Sequence, residues 1–134
     1  MSQSPAFGAV LFAKDLPRVA RFYERLLSMT VAHAEGDHVV LESPGCQLVV
    51  HAIPAPIARS IDIASPPVRR EETPIKLFFQ VASLAVARAA ADGLGGALNP
   101  PQREWEARGF RACDGHDPEG NVLQLREPAP IAQR

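Results

Sequence analysis

His51, Lys76, Gln124 and Arg126 are the polar side chains of this 134-residue sequence whose types and placement could do chemistry. An imidazole titrates near neutrality and can take, give or relay a proton. An ammonium can meet a carboxylate or phosphate, or serve as a base where burial lowers its pKa. A guanidinium binds oxyanions through a planar fork of donors, whereas a carboxamide orients polar groups but accepts no proton. Gln80 adds a second amide. Phe12, Phe78 and Trp105 offer flat surfaces for stacking on a planar ligand, and the indole adds one N–H donor. Each has a plainer role beside the chemical one: His51 as a hydrogen-bonded wall residue, Lys76 paired with an acidic neighbour, the Phe rings as apolar lining, and Trp105, in the proline-rich, charged segment 100–108 that reads as a loop, as packing of that loop on the sheet edge.

Strand periodicity gives these side chains a common direction, because the helix-covered side of a strand must be apolar and the other side is free to be polar. Residues 6–13 alternate, with Phe7, Ala9, Leu11 and Ala13 on one face and Gly8, Val10 and Phe12 on the other. Leu48, Val50 and Ala52 pack down, which turns Gln47, Val49 and His51 outward. Ile75, Leu77, Phe79 and Val81 pack down and leave Lys76, Phe78 and Gln80. Leu123 and Leu125 pack down and leave Val122, Gln124 and Arg126.

Two helices must supply the cover. Asp15 can accept the orphan N–H groups of a first turn in which Pro17 has no amide to lose, and Val19, Phe22, Tyr23, Leu26 and Leu27 form the apolar stripe. Ser83 caps an alanine-rich helix through Ala91 that Gly93, Gly95 and Gly96 terminate. Further strands are predicted near 29–34, 38–42 and 47–53, and near 97–99, 109–114 and 121–126. Between Pro54 and Pro74 five prolines rule out a helix or central strand, so the segment reads as a linker. The expected organisation is one domain over 1–134, with a β-α-β-β-β module at 1–53, a linker at 54–74 and a second such module at 75–128.

With 46% hydrophobic residues the chain can bury a core, and its net charge of −1 lacks the basic footprint of a nucleic-acid or anionic-membrane binder. No stretch approaches the ~20 apolar residues of a bilayer span, and the N-terminus lacks a signal-peptide pattern, so a cytoplasmic protein is expected. In that compartment Cys46 and Cys113 are expected as free thiols. His33, His38 and His116 fall at strand ends or turns without ligand spacing and are expected in solvent, as are Arg108 and Arg111.

The turn Asp117-Pro118-Glu119-Gly120-Asn121 is chemically well specified: Asp117 can accept the N–H two residues on, Pro118 presets φ, and Gly120 takes a positive φ. Together with the helix start over 14–27, it resembles the vicinal oxygen chelate superfamily, which includes glyoxalase I, bleomycin-resistance proteins, fosfomycin-resistance enzymes and extradiol dioxygenases. The resemblance implies an α+β glyoxalase/bleomycin-resistance fold, in which two βαβββ modules form a half-open barrel around a cavity, and a homodimer. It also implies where metal-binding members carry ligands. Counting seven residues back from Asp15 and Ser83 gives Gly8 and Lys76; the usual Glu of the last strand is Gln124, and His51 takes the comparable place in the first module. Only His51 is a good ligand, and Gln124 cannot act as the base of glyoxalase-type isomerisation. The expectation is a small-molecule-binding protein similar to the non-metal, bleomycin-resistance-like members, taking a planar anionic ligand and no cofactor. The alternative is an enzyme of the superfamily, an isomerase, lyase or dioxygenase. It would use His51 and Lys76 without metal, or hold a divalent metal if the ligand register is displaced toward Glu42, Glu104, Glu106 or Asp114. A third possibility is an interaction module whose cavity Phe12, Phe78 and Trp105 fill.

Overall fold

A computed structural model describes residues 4–129, and the chain divides into two compact units, up to residue 64 and from residue 65. In the first unit β1 (Phe7–Ala13) is followed by α1 (Leu16–Leu26), β2 (Thr30–Ala34), β3 (His38–Ser43) and β4 (Cys46–Ala52), and the strands lie in the order β1-β4-β3-β2 with β1 parallel to β4. Asp15 caps α1 by accepting the Arg18 N–H at 3.3 Å. The helix buries Leu16, Val19, Phe22, Tyr23 and Leu26 with Leu41, Leu48 and Val50 of the sheet. Full burial of side chains of this size stabilises the unit by roughly 2 kcal/mol each. On the opposite face of the sheet Val10 and Phe12 are more than half exposed. Within the segment expected to hold no helix, Ala55–Ala58 forms one helical turn, α2. It is only four residues long and begins at Pro54, so Pro56 falls where no intrahelical amide is needed.

The second unit repeats the plan: β5 (Leu77–Gln80), α3 (Leu84–Gly93), β6 (Ala97–Leu98), a 3₁₀ turn at Pro101–Arg103, β7 (Trp105–Ala107), β8 (Phe110–His116) and β9 (Val122–Pro128). The order is β5-β9-β8-β6, β5 is parallel to β9, and β7 also pairs with β8. β6 meets Gly115 and His116 while β7 meets Phe110 to Ala112, so the two short strands together form one interrupted edge. Trp105 therefore sits on a strand, not in the loop that the prolines of 100–108 suggested. Phe7 and Ile75 also depart from expectation: Phe7, the first residue of β1, is 56% exposed, and Ile75 is 69% exposed and precedes β5. In the register of β5 on its parallel partner strand the place opposite Ile75 falls at Asn121, and that backbone is bridged to Arg70 instead. α3 is capped by Ser83, whose hydroxyl accepts the Val86 N–H at 3.1 Å, and by Glu127, which accepts the Leu84 N–H at 2.6 Å. No described helix is long and apolar enough to cross a membrane. Both cysteines are free.

The turn between β8 and β9 forms as the sequence requires. Asp117, fully buried, accepts the Glu119 and Asn121 backbone N–H groups on one oxygen at 2.8 and 3.0 Å and the Asn121 amide on the other at 2.8 Å. Gly120 has φ +85°, and its amide oxygen receives the Arg70 N–H at 2.7 Å. Residues 68–70 thus lie against the turn and belong structurally to the second unit.

Candidate site on the open face of the second unit

The parallel β5/β9 and antiparallel β8/β9 registers align Phe78 with Gln124 and Asp114, and Gln80 with Arg126, Ala112 and Trp105. These rows and Lys76 lie on the face that α3 leaves open. Four side chains make a continuous polar chain along it. Lys76 Nζ donates to Asp114 Oδ2 at 2.8 Å, Gln124 Nε2 donates to Asp114 Oδ1 at 3.2 Å, and Arg126 Nε donates to Gln124 Oε1 at 2.7 Å. The amide of Gln124 is what allows the chain: it gives a hydrogen to a carboxylate and takes one from a guanidinium, which a Glu could not do. The Arg126 guanidinium carbon lies 3.6 Å from the Phe78 ring centre and 4.1 Å from that of Phe110, so the cation is held between two aromatic faces.

At the Lys76 end the face opens into a cavity of about 290 Å³ lined by Arg69, Lys76 and Arg103 and by Glu71, Asp114 and Asn99, among others. Three cations against two carboxylates leave its wall with an excess of one positive charge. Arg69 is fixed by two bonds, Nη1 to Asn99 Oδ1 at 2.7 Å and Nε to His116 Nδ1 at 3.1 Å. Since a guanidinium can only donate, His116 Nδ1 must be unprotonated. Burial, followed by the charge of Arg69, pushes the His116 pKa below its ordinary value, in agreement with that geometry. His116 is thus a half-buried strut, where solvent was expected.

Of the residues singled out from sequence, the structure brings Lys76, Phe78, Gln80, Trp105, Gln124 and Arg126 onto this one face. Phe12 and His51 lie in the first unit, their rings 5.8 Å apart, in a row with His38. Asp114, the centre of the polar chain, shares its strand face with Ala112 and His116 on β8, and that parity is the mark it leaves in the sequence. Arg69, lodged in a proline-rich stretch, carried no periodic signal at all.

The registers also test the metal positions of the related proteins. Val10 precedes Asp15 by as many residues as Phe78 precedes Ser83, and Val10 pairs with Val49 where Phe78 pairs with Gln124. Val49, not His51, is therefore the counterpart of Gln124; His51 corresponds to Arg126. The four positions are then Gly8, Val49, Lys76 and Gln124. A Cβ on Gly8 would stand 2.8 Å from the backbone oxygen of Gln47, so this position is closed to a side chain as the strands now lie. Val49 has no donor atom, Lys76 is committed to Asp114, and Gln124 presents an amide. These residues do not fit a divalent metal.

Residues 8–126 match the glyoxalase-like domain family. No curated protein sequence matches the chain. Among solved structures it is similar to a glyoxalase/bleomycin resistance protein/dioxygenase family enzyme from Burkholderia phytofirmans, at 15% identity over 93% of this chain and 99% of that one, with TM-score 0.67. The fosfomycin resistance protein FosX from Listeria monocytogenes is similar at 15% identity over 100% and 96%, with TM-score 0.63. A glyoxalase/bleomycin resistance protein from Albidiferax ferrireducens is similar at 18% identity over 91% and 96%, with TM-score 0.62.

Proposed function

Because the chain belongs to the glyoxalase-like domain family, we propose that it is a small-molecule-binding protein that takes a planar anionic ligand without a metal at the family's ligand positions. The observation that carries this reading is the open face of the second unit. A positively biased cavity of about 290 Å³ adjoins an exposed aromatic surface, Phe78, with a guanidinium stacked on it. The anionic group would enter the cavity beside Lys76, Arg69 and Arg103, and the flat body would lie toward Phe78 and Trp105. The fosfomycin resistance and bleomycin resistance names among the structural neighbours agree with a role in holding a small molecule.

Trp105, the sole tryptophan, supplies the readout. Titration with anionic aromatic compounds should change its emission, and Lys76→Met should weaken binding by about 1–3 kcal/mol, the value of a charge-assisted hydrogen bond. Asp114→Asn should act in the opposite sense and tighten binding, because it frees Lys76 from its present partner. An unchanged emission in the wild type, or equal affinity in all three proteins, would overturn the reading.

A second reading, an enzyme of the same family, rests on Asp114. This carboxylate lies on the open face against Lys76 and Gln124, so a proton acceptor stands in a site whose usual Glu is an amide. Turnover of a carbonyl substrate that is lost in Asp114→Asn would establish it. We also propose a homodimer. Among the described residues β1 and β2 are the outer strands of the first sheet, and Val10 and Phe12 leave apolar surface on β1. Light scattering at micromolar concentration should give twice the mass of the chain, and a monomer would refute this.

A further inference from the structure

The first unit carries a cluster of imidazoles that the site above does not use. His51 on β4 pairs with His38 on β3, and their rings stack at 5.8 Å and 8°. The β2–β3 turn brings His33 to within 5.4 Å of His38, ring centre to ring centre, and sets Asp37 beside both His38 and His51. His33 is exposed, as expected, whereas His38 is half-buried; a turn joins the two across strands, so no linear spacing shows their proximity.

The hydrogen bonding of His51 is the informative detail. Its Nδ1 lies 2.9 Å from the Ala52 carbonyl oxygen, which can only accept, so Nδ1 carries the hydrogen. In the neutral ring the lone pair is then on Nε2. That atom faces an Asp37 carboxylate oxygen at 3.8 Å. Two electron-pair donors face each other across a gap that a cation would fill. For bonds of about 2.0–2.1 Å in a tetrahedron, donors stand roughly 3.3 Å apart, so a small inward shift completes the geometry. A backbone carbonyl holding the far nitrogen is also the arrangement that orients a ligating histidine.

We propose that Asp37, His38 and His51 form a divalent transition-metal site of the Zn²⁺ type, at the end of the first sheet and apart from the family's ligand positions. The ligand atoms of these three residues lie within 4.8 Å of one another. The ion would take His51 Nε2, an Asp37 oxygen and a ring nitrogen of His38, with solvent completing four-coordination. The set of imidazoles and one carboxylate suits Zn²⁺ better than Mg²⁺ or Ca²⁺, which prefer oxygen. An overlapping group, His33, Glu35 and His38, shares one histidine but has no ring fixed by a carbonyl.

Calorimetric titration of the full chain with Zn²⁺ tests the site. One ion per chain at micromolar or tighter affinity is expected, weakened at least tenfold in His51→Ala and in Asp37→Asn. His33→Ala should change it less than threefold. Cys46→Ser, which removes a half-buried thiol that could bind zinc adventitiously, should leave it unchanged. All these residues lie at or next to strand ends or in the β2–β3 turn, and circular dichroism melting of each variant would verify that it folds. No saturable binding, equal affinity in His51→Ala, or loss in His33→Ala or Cys46→Ser alone would overturn the proposal. Since ligand binding in the second unit is read by Trp105, failure of either proposal leaves the other standing.

Discussion

Two units with one strand order have kept the same half of their chemistry. On the helix-covered side the matching positions are apolar in both: Leu48 and Val50 correspond to Leu123 and Leu125, and Ala9 and Leu11 to Leu77 and Phe79. On the open side only the exposed apolar pair Val10 and Phe78 is alike, and the polar positions differ throughout. Gly8 corresponds to Lys76, Phe12 to Gln80, Val49 to Gln124 and His51 to Arg126. The free energy of folding resides on one face of each sheet, so the other face is free to diverge without endangering the fold. The helices differ too. α1 buries large side chains, whereas α3 buries only Leu84, Ala87 and Ala91. Ala20, buried in α1, is matched by Arg88 in α3, which reaches the Asn99 carbonyl at 2.9 Å, Glu104, and the Cys113 sulfur at 3.5 Å. The second unit makes up with polar ties for what its helix lacks in apolar volume. Burial first of all pushes the Cys113 thiol up, so it is a packing group and not a nucleophile.

The sharpest test of that contrast uses one turn position in each unit. Gly45 and Gly120 both have positive φ, at +76° and +85°, but a Cβ on Gly45 meets nothing within 4 Å while one on Gly120 would fall 2.1 Å from the Val68 carbonyl oxygen. Gly45→Ala should cost about 1 kcal/mol, from backbone strain alone, and Gly120→Ala about 3 kcal/mol or more, in urea unfolding. Equal costs would show that residues 68–70 do not hold the turn.

Arg88→Met comes next. The pair with Glu104 is mostly buried, with side-chain exposures of 17% and 10%, and removing one partner of such a pair leaves a charge without its counter-ion. Arg111 lies 3.6 Å from Glu104 and offsets part of the loss, so about 2–3 kcal/mol is expected in the same assay. A neutral or stabilising result would mean that apolar volume alone limits α3.

The smallest effect is one of pH. His116 has its pKa lowered in the fold, so between the folded value and the ordinary 6.5 the unfolded chain binds more protons. Its contribution is therefore complete above pH 6.5 and is lost as pH falls from there toward the folded value. The wild type should lose more stability between pH 7 and 5 than His116→Asn, whose amide oxygen can still accept from Arg69. A parallel decline in both would assign the pH dependence elsewhere.

The contrast between the faces also explains what the sequence could reveal. Alternation places Lys76, Phe78, Gln124 and Arg126 together, because a period of two is a local property of each strand. The bond from Lys76 to Asp114, the Arg69 strut on His116 and the stack of His38 on His51 depend on register between strands distant in sequence. Trp105 was misjudged for a related reason: β7 exists because β8 offers it an edge, and its own three residues carry no pattern long enough to show it.

The contact beneath Gly8 has a consequence for design. With the Gln47 carbonyl 2.8 Å from where a Cβ would stand, the first unit cannot gain a metal-binding side chain at that position by a single substitution unless the backbone shifts. The parallel strands β1 and β4 would have to move apart first, against the packing of Leu48 and Val50 on the helix. An engineer seeking a metalloenzyme in this scaffold must rebuild a strand pair; one seeking a metal-free receptor starts with that door already closed.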